Sequence, residues 1–283
     1  MYPAPEGTEF VEHLGAGSVF DVAVVRQGGR AIVCKRLNGR ALREPAARAA
    51  LVREAKVLAL GRHPALPLLL GVGSDGHGPF VLESRQEGSS LRMVREGWQA
   101  RGRQPPRLLV NHVVRAAIEV LAEVHALERV DGGGPLGLAH GDLSPDHVIL
   151  GPIGEVGFVD LGAARFAGME AGLLTADRGT LPFVAPEVAR GESQPTQTGD
   201  VYALAAVLAA FVTGAPLVRA ESEAAALAEI GEHGLSLDAL RSEGVLTPGA
   251  RAALLWALER DPADRPESAR VLVEALDDGG EVR

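Results

Sequence analysis

His140-Gly141-Asp142-Leu143-Ser144-Pro145-Asp146-His147-Val148-Ile149-Leu150, followed by Phe158-Val159-Asp160-Leu161-Gly162, is the part of the sequence that decides how the chain folds. Each aspartate borders a short apolar run, 148–150 and 156–159, and a glycine-containing turn separates the two runs. That pattern predicts a strand–turn–strand hairpin. Such a hairpin can aim Asp142 and Asp160, eighteen positions apart (160 − 142), into one cleft. Two carboxylates so placed can divide the work of a group transfer: one accepts a hydroxyl proton while the other holds a metal bound to phosphates.

Working outward toward the N-terminus, Lys35 is the next informative residue. The chain has two lysines, Lys35 and Lys56, and otherwise uses arginine for its cations. Lys35 closes the apolar run Ala31-Ile32-Val33-Cys34. A compact ammonium suits a phosphate contact and needs a carboxylate to hold it. Glu54 supplies one from a helix expected over residues 46–60, which has Leu51, Ala55, Leu58 and Ala59 on one face and Gly61 as its stop. Leu14-Gly15-Ala16-Gly17-Ser18-Val19 is a glycine-rich turn between strand candidates, where backbone N–H groups can approach phosphate oxygens with no Cβ in the way. Gly28-Gly29 sits between two β-rich runs and predicts a hairpin. Further strands are expected at 66–72 and 79–83, so residues 10–91 read as a small sheet carrying one helix.

Toward the C-terminus the character changes. A helix is expected over 108–127, a glycine-rich break follows at 131–135, and helices dominate from Asp200 on. The most apolar run, 202–212, is far shorter than the roughly 20 residues of a membrane span and reads as a buried helix. With 46% hydrophobic residues the chain can build a substantial core, and a net charge of −9 argues against nucleic acid as a partner. The arginine-rich stretch 85–107 reads as a solvated loop and helix face, 131–137 as a mobile surface loop, and the acidic run 221–232 as a solvated helix face. A single cysteine, Cys34, excludes an internal disulfide framework or a zinc ribbon and reads as an inert thiol. No signal-like segment opens the chain, so a soluble, cytoplasmic protein with no membrane contact is expected.

In order, Gly15-Ala16-Gly17, Lys35, Glu54, His140-Gly141-Asp142, Asp160-Leu161-Gly162 and Ala185-Pro186-Glu187 resemble the eukaryotic-type protein kinase family, and within it the bacterial serine/threonine kinases. Gly179-Thr180, Asp200-Val201-Tyr202 and Asp261-Pro262-Ala263-Asp264-Arg265-Pro266 extend the resemblance over residues 10–276. It implies one α+β domain of two lobes: a small antiparallel β-sheet with one helix (10–83), a hinge (84–87), a mainly helical lobe (88–276) and a short tail (277–283). It further implies ATP with Mg2+ or Mn2+. Lys35 would contact the phosphates and pair with Glu54, Asp142 would take the hydroxyl proton, and Asp160 would hold the metal. Val22, Val33 and Ile149 would enclose the adenine, with Glu83 and Arg85 at the hinge and Leu82 gating the back of the pocket. Ser144 and Thr180 would lie at the substrate site, and His140, Glu187, Asp200 and Arg265 would be structural, with Arg265 pairing to Glu187.

Four positions depart from the family pattern. His147 replaces the asparagine that binds a second metal, and imidazole is a poorer Mg2+ ligand than oxygen. Ser144 replaces a lysine that neutralises the transferring phosphate. Gly141 replaces the arginine that senses loop phosphorylation, so no phosphate is expected to be required for ordering 163–184. Phe20 replaces the third glycine of the phosphate loop and should limit how closely the backbone covers the phosphates. Three readings follow. The first is an ATP-dependent protein serine/threonine kinase with an atypical metal site. The second is a pseudokinase that binds nucleotide or a partner protein and regulates without chemistry. The third, a small-molecule phosphotransferase, is disfavoured by Ala185-Pro186-Glu187 and Arg265. A protein substrate or regulatory partner is implied, with homodimerisation one route of regulation.

Overall fold

The computed structural model describes residues 2–17, 19–175 and 179–277; Ser18 of the glycine-rich turn and positions 278–283 of the expected tail lie outside them. The first strands are β1 (Glu9–Ala16), β2 (Phe20–Gln27) and β3 (Arg30–Leu37). Gly28 and Gly29, with φ of 55° and 81°, make the two-residue turn between β2 and β3. Positive φ at both turn positions suits the right-handed twist of the flanking strands, and glycine adopts it without steric cost. Next come α1 (Pro45–Leu60), β4 (Leu69–Asp75) and β5 (Gly78–Ser84). The five strands form one antiparallel sheet in the order β1-β2-β3-β5-β4.

β4 starts at Leu69 rather than at 66, because Leu66 closes a turn by donating its N–H to the His63 carbonyl and Pro67 has no N–H to give a ladder. One face of the sheet packs Ala23, Val25, Ile32, Cys34 and Leu82 against Tyr2, whose hydroxyl donates to the Cys34 carbonyl at 2.8 Å. The other packs Leu37 and Val81 against Leu51 of α1. Cys34 is fully buried, and burial pushes its thiol up, as an inert core thiol requires.

The second half of the chain opens with β6 (Ser89–Ser90), α2 (Leu91–Gln99) and α3 (Arg107–His125). β7 (Val148–Leu150) and β8 (Val156–Phe158) form the expected hairpin and join β6 in a small sheet. Helices α4 (Pro186–Ala189), α5 (Gln197–Thr213), α6 (Glu223–His233), α7 (Asp238–Arg241), α8 (Pro248–Ala257) and α9 (Ala269–Asp277) complete the fold. α5 is buried all round from Gly199 to Ala209, which is why its sequence is apolar without a polar stripe. Among the described residues no helix is long and apolar enough to cross a membrane.

Arg95 corrects the reading of 85–107 as a solvated face. It is buried, and its guanidinium donates to Gln104 Oε1 at 2.7 Å and to the Thr213 carbonyl at 3.2 Å. A cation there satisfies an open carbonyl at the end of α5 and opposes the negative end of its dipole. The acidic helix α6 behaves as expected, burying Ala226 and Ile230 while Glu223 and Glu232 face water.

Candidate active site

Lys35 lies on β3 opposite Val81 of β5, with its side chain turned toward α1. Its ammonium donates to Glu54 Oε1 at 2.5 Å and stands 3.2 Å from Asp160 Oδ1. Glu54 Oε1 also accepts the Leu161 N–H at 3.1 Å, so helix, strand and the segment after β8 meet at one oxygen. Burial alone would discharge Lys35, but the Asp160 and Glu54 carboxylates outweigh it and raise the ammonium above its usual range. Asp160 is likewise opposed by burial and held well below the usual carboxylate range by Lys35 and His147. Its backbone has φ 69°, a left-handed conformation that costs free energy for any residue with a Cβ. Neighbours hold it there: Val159 donates to the His147 carbonyl on one side and Leu161 to Glu54 on the other.

Asp142 is organised from beneath. Asp200 accepts the backbone N–H of His140 at 2.6 Å and of Gly141 at 2.9 Å, and His125 Nε2 lies 3.0 Å from it. His140 is fully buried, donating from Nε2 to the Val159 carbonyl and accepting the Asp142 N–H at Nδ1, and burial pushes its imidazole down to about 4. Thr180 Oγ1 donates to Asp142 Oδ1 at 2.6 Å. His147 Nδ1 donates to the Asp142 carbonyl at 2.6 Å, and its Nε2 stands 3.5 Å from Asp160 Oδ2. Burial opposes a charge on His147, but Asp160 and Asp142 more than compensate and hold it above the usual histidine range. Asp142 itself is raised by burial. Deeper in the helical part, Arg265 makes a bidentate pair with Glu187 at 2.9 and 2.7 Å and stacks over the Tyr202 ring.

Two expectations need correction. Leu82 does not face the cleft. It pairs with Cys34 across β3–β5 and packs on the outer face beneath Tyr2, whereas Glu83 pairs with Val33 and shares the inner face with Lys35. Side chains alternate along a strand, so a one-residue error in phase exchanges the two faces. Ser144 is buried, 1% exposed, and its Oγ reaches no partner, so it presents no hydroxyl to an incoming substrate. Phe20, expected to limit how closely the backbone covers the phosphates, places its ring 5.6 Å from Lys35 Nζ and roofs the ammonium. Val22 pairs with Lys35, Val33 with Glu83 and Ile149 with Gly157. Arg85 reaches back to Glu12 of β1 at 2.9 Å. Among the described residues, a Cβ at Gly15 would meet nothing within 4 Å, and one at Gly17 only the Phe20 carbonyl at 3.7 Å.

The sequence matches the protein kinase domain family over residues 8–275. The chain belongs to this family. Its similarities include a probable serine/threonine-protein kinase of Streptomyces coelicolor, SCO3848, 30% identical over 94% of this chain and 39% of the relative. The serine/threonine-protein kinase PknK of Mycobacterium bovis is 29% identical over 96% of this chain and 23% of its own length. PknB of Mycolicibacterium smegmatis is 28% identical over 92% and 41%. The kinase domain therefore spans well under half the length of these bacterial relatives.

Sequence reasoning missed how this kinase domain fastens α1 to the segment after Asp160. Arg53, fully buried and adjacent to Glu54, donates to the Gly162 carbonyl at 2.5 Å, the Leu173 carbonyl at 2.6 Å and Thr175 Oγ1 at 2.8 Å. Arg165 donates to the Thr175 carbonyl at 2.6 Å, and Lys56 pairs with Glu170 at 2.5 Å. The only available signal was an arginine inside an otherwise alanine-rich helical face. Among the described residues no group of three or more His, Cys, Asp or Glu side chains is arranged to hold a metal. Mg2+ usually binds through one or two carboxylates plus substrate phosphates, and the hard oxygens of Asp160 fit that mode.

Proposed function

We propose that this kinase domain transfers the γ-phosphoryl group of ATP to a serine or threonine hydroxyl of a protein. The observation that carries the reading is the convergence of Lys35, Glu54 and Asp160 on one buried network beside Asp142. In this reading the parts of the chain on either side of residues 84–87 form the two walls of the nucleotide cleft. Lys35, oriented by Glu54, binds the phosphates. Asp142 accepts the proton of the attacking hydroxyl, and the Thr180 hydroxyl that donates to Oδ1 holds the carboxylate in place. A metal ion bound to Asp160 would neutralise charge on the phosphates. His147 Nε2 stands 3.5 Å from Asp160 Oδ2, and once deprotonated it would add an imidazole nitrogen to the carboxylate, a pair that would favour Mn2+ more than an all-oxygen pair does.

A second reading, a nucleotide-binding pseudokinase, draws on His147: its Nε2 lies along the carboxylate edge that a metal would take. Intact mass after incubation with ATP and either Mg2+ or Mn2+, compared between the wild type and Asp142→Asn, separates the two. Phosphate additions on the wild type, reduced about 10²–10⁴-fold in rate in the variant, are expected of a kinase. Thermal stabilisation by ATP with no addition under either metal would make the domain a pseudokinase.

A further inference from the structure

Phe20 opens β2 two residues before Val22; it pairs with Leu37 as Val22 pairs with Lys35, so its side chain shares the inner face of the sheet with the Lys35 ammonium. It is half-buried there against the cluster of Leu37, Leu51 and Val81, and its ring comes within 5.6 Å of Lys35 Nζ. On its far side the ring abuts the segment after β8. A Cβ at Gly162 would stand 3.2 Å from Phe20 Cε2 and 3.3 Å from Asp160 Oδ1. The backbone carrying the ring is held down by Asn38, just beyond β3, which donates its N–H to the Val19 carbonyl at 2.9 Å and its side-chain amide to the Gly17 carbonyl at 3.1 Å. The Gly17 N–H is itself spent on the Phe20 carbonyl at 2.8 Å.

We propose that Phe20 gates the approach to Lys35: with the ring where the structure holds it, the phosphates of a nucleotide are kept off the ammonium, and they bind only when the ring turns away. The proposal rests on the reading of Lys35 as the phosphate-binding residue. An ammonium has three N–H donors, and Glu54 and Asp160 take two of them. A phosphate oxygen has to come within about 3 Å of Nζ to use the third, where it competes with the ring face for the same cation. Even a methyl group on Gly162 would crowd the ring, so a phosphate has no room between Phe20 and the Asp160 segment. Because the Asn38 and Gly17 bonds hold the backbone, the movement that clears the site is a rotation of the side chain, away from Leu37, Leu51 and the ammonium together. Giving up those contacts makes the open form the minor one, and the affinity for a phosphate-bearing ligand falls by the open fraction. A nucleoside without phosphates makes no demand on Lys35 and is indifferent to the ring.

The test is titration calorimetry of the whole chain with Mg2+-ATP and with adenosine, using wild type, Phe20→Ala and Phe20→Leu. Phe20→Ala, which removes the ring, should bind ATP about tenfold more tightly than the wild type, the scale of a released cation–π contact and its packing, while adenosine changes by less than about twofold. Phe20→Leu keeps bulk but has no π face, and its gain for ATP should be smaller, about threefold. ATP bound by Phe20→Ala and too weakly to detect by the wild type is the extreme form of the expected result. Unchanged or weaker ATP binding in Phe20→Ala would overturn the proposal, because the ring would then support the phosphates rather than exclude them. Equal gains for ATP and adenosine would also overturn it, since the effect would lie outside the phosphate contact. Should Phe20→Ala not fold, Phe20→Leu decides on the same criterion, a gain for ATP that adenosine does not share. No binding of either ligand by any of the three chains would remove the nucleotide reading itself, and this proposal with it.

Discussion

Gly141 shows how one residue commits the site to its present form. Its φ is +78°, and a Cβ there would stand 2.6 Å from the Ala163 carbonyl and 3.1 Å from Pro195 Cβ. The backbone beside Asp142 has closed around a glycine, so a side chain at this position would have to displace Ala163 or Pro195. Gly141→Ala should lower the free energy of unfolding by about 2 kcal/mol, seen as a fall in the urea midpoint at constant slope. A variant as stable as the wild type would show that the loop absorbs the strain. The same scale shows what the sequence concealed. Lys35, Asp142 and Asp160 were legible because each is a charged residue bordering an apolar run, and Glu54 because it is a carboxylate on a periodic helix that can pair with Lys35. Leu82 and Glu83 were not, because Phe80-Val81-Leu82 is apolar without alternation, and only pairing to β3 sets which side chain faces inward. The burial of Ser144 depends on packing that no local pattern records.

At the scale of elements, α1 is the part whose position matters most. It carries Glu54 to Lys35, and one residue earlier Arg53 ties it to Gly162, Leu173 and Thr175. These bonds hold the helix against the segment with an uncharged threonine as one partner. Arg53→Met should release the segment and let Glu54 drift. Phosphoryl incorporation should fall about 10²-fold, the usual cost of small displacements at a reacting site, and the 163–175 stretch should become easier to cut by protease. Arg53→Lys, which restores a donor, should recover part of the rate. A loss of activity with unchanged proteolysis, or no loss, would contradict this role. The strands around Gly28-Gly29 and the 148–158 hairpin were legible because turn glycines and apolar runs are local signals. The clasp was hidden because its partners lie more than a hundred residues away, and an arginine in a helix reads as a solvated one.

Across the whole molecule, the two halves of the site rest on a buried polar column in which Asp200 holds the His140 and Gly141 backbone and His140 braces Val159. His140 stays neutral when folded, with its imidazole pushed from 6.5 down to about 4. Between those values the unfolded chain binds a proton that the folded one refuses. The stability linked to His140 is therefore complete above about pH 6.5 and is lost as the pH falls toward 4, by up to about 3 kcal/mol. Urea unfolding from pH 7 to 4.5 should show this slope in the wild type and a shallower one in His140→Gln. Parallel curves would mean that other groups set the acid sensitivity. The ion pair between Lys56 and Glu170 has a different consequence. Lys35 is 5% exposed and enclosed by two carboxylates, while Lys56 is 38% exposed on α1. These are the chain's two side-chain amines. Besides the chain's α-amino group, an acylating dye therefore finds a single accessible lysine, located where helix and loop meet, and at high pH the protein offers a built-in address for a fluorophore on its most informative joint.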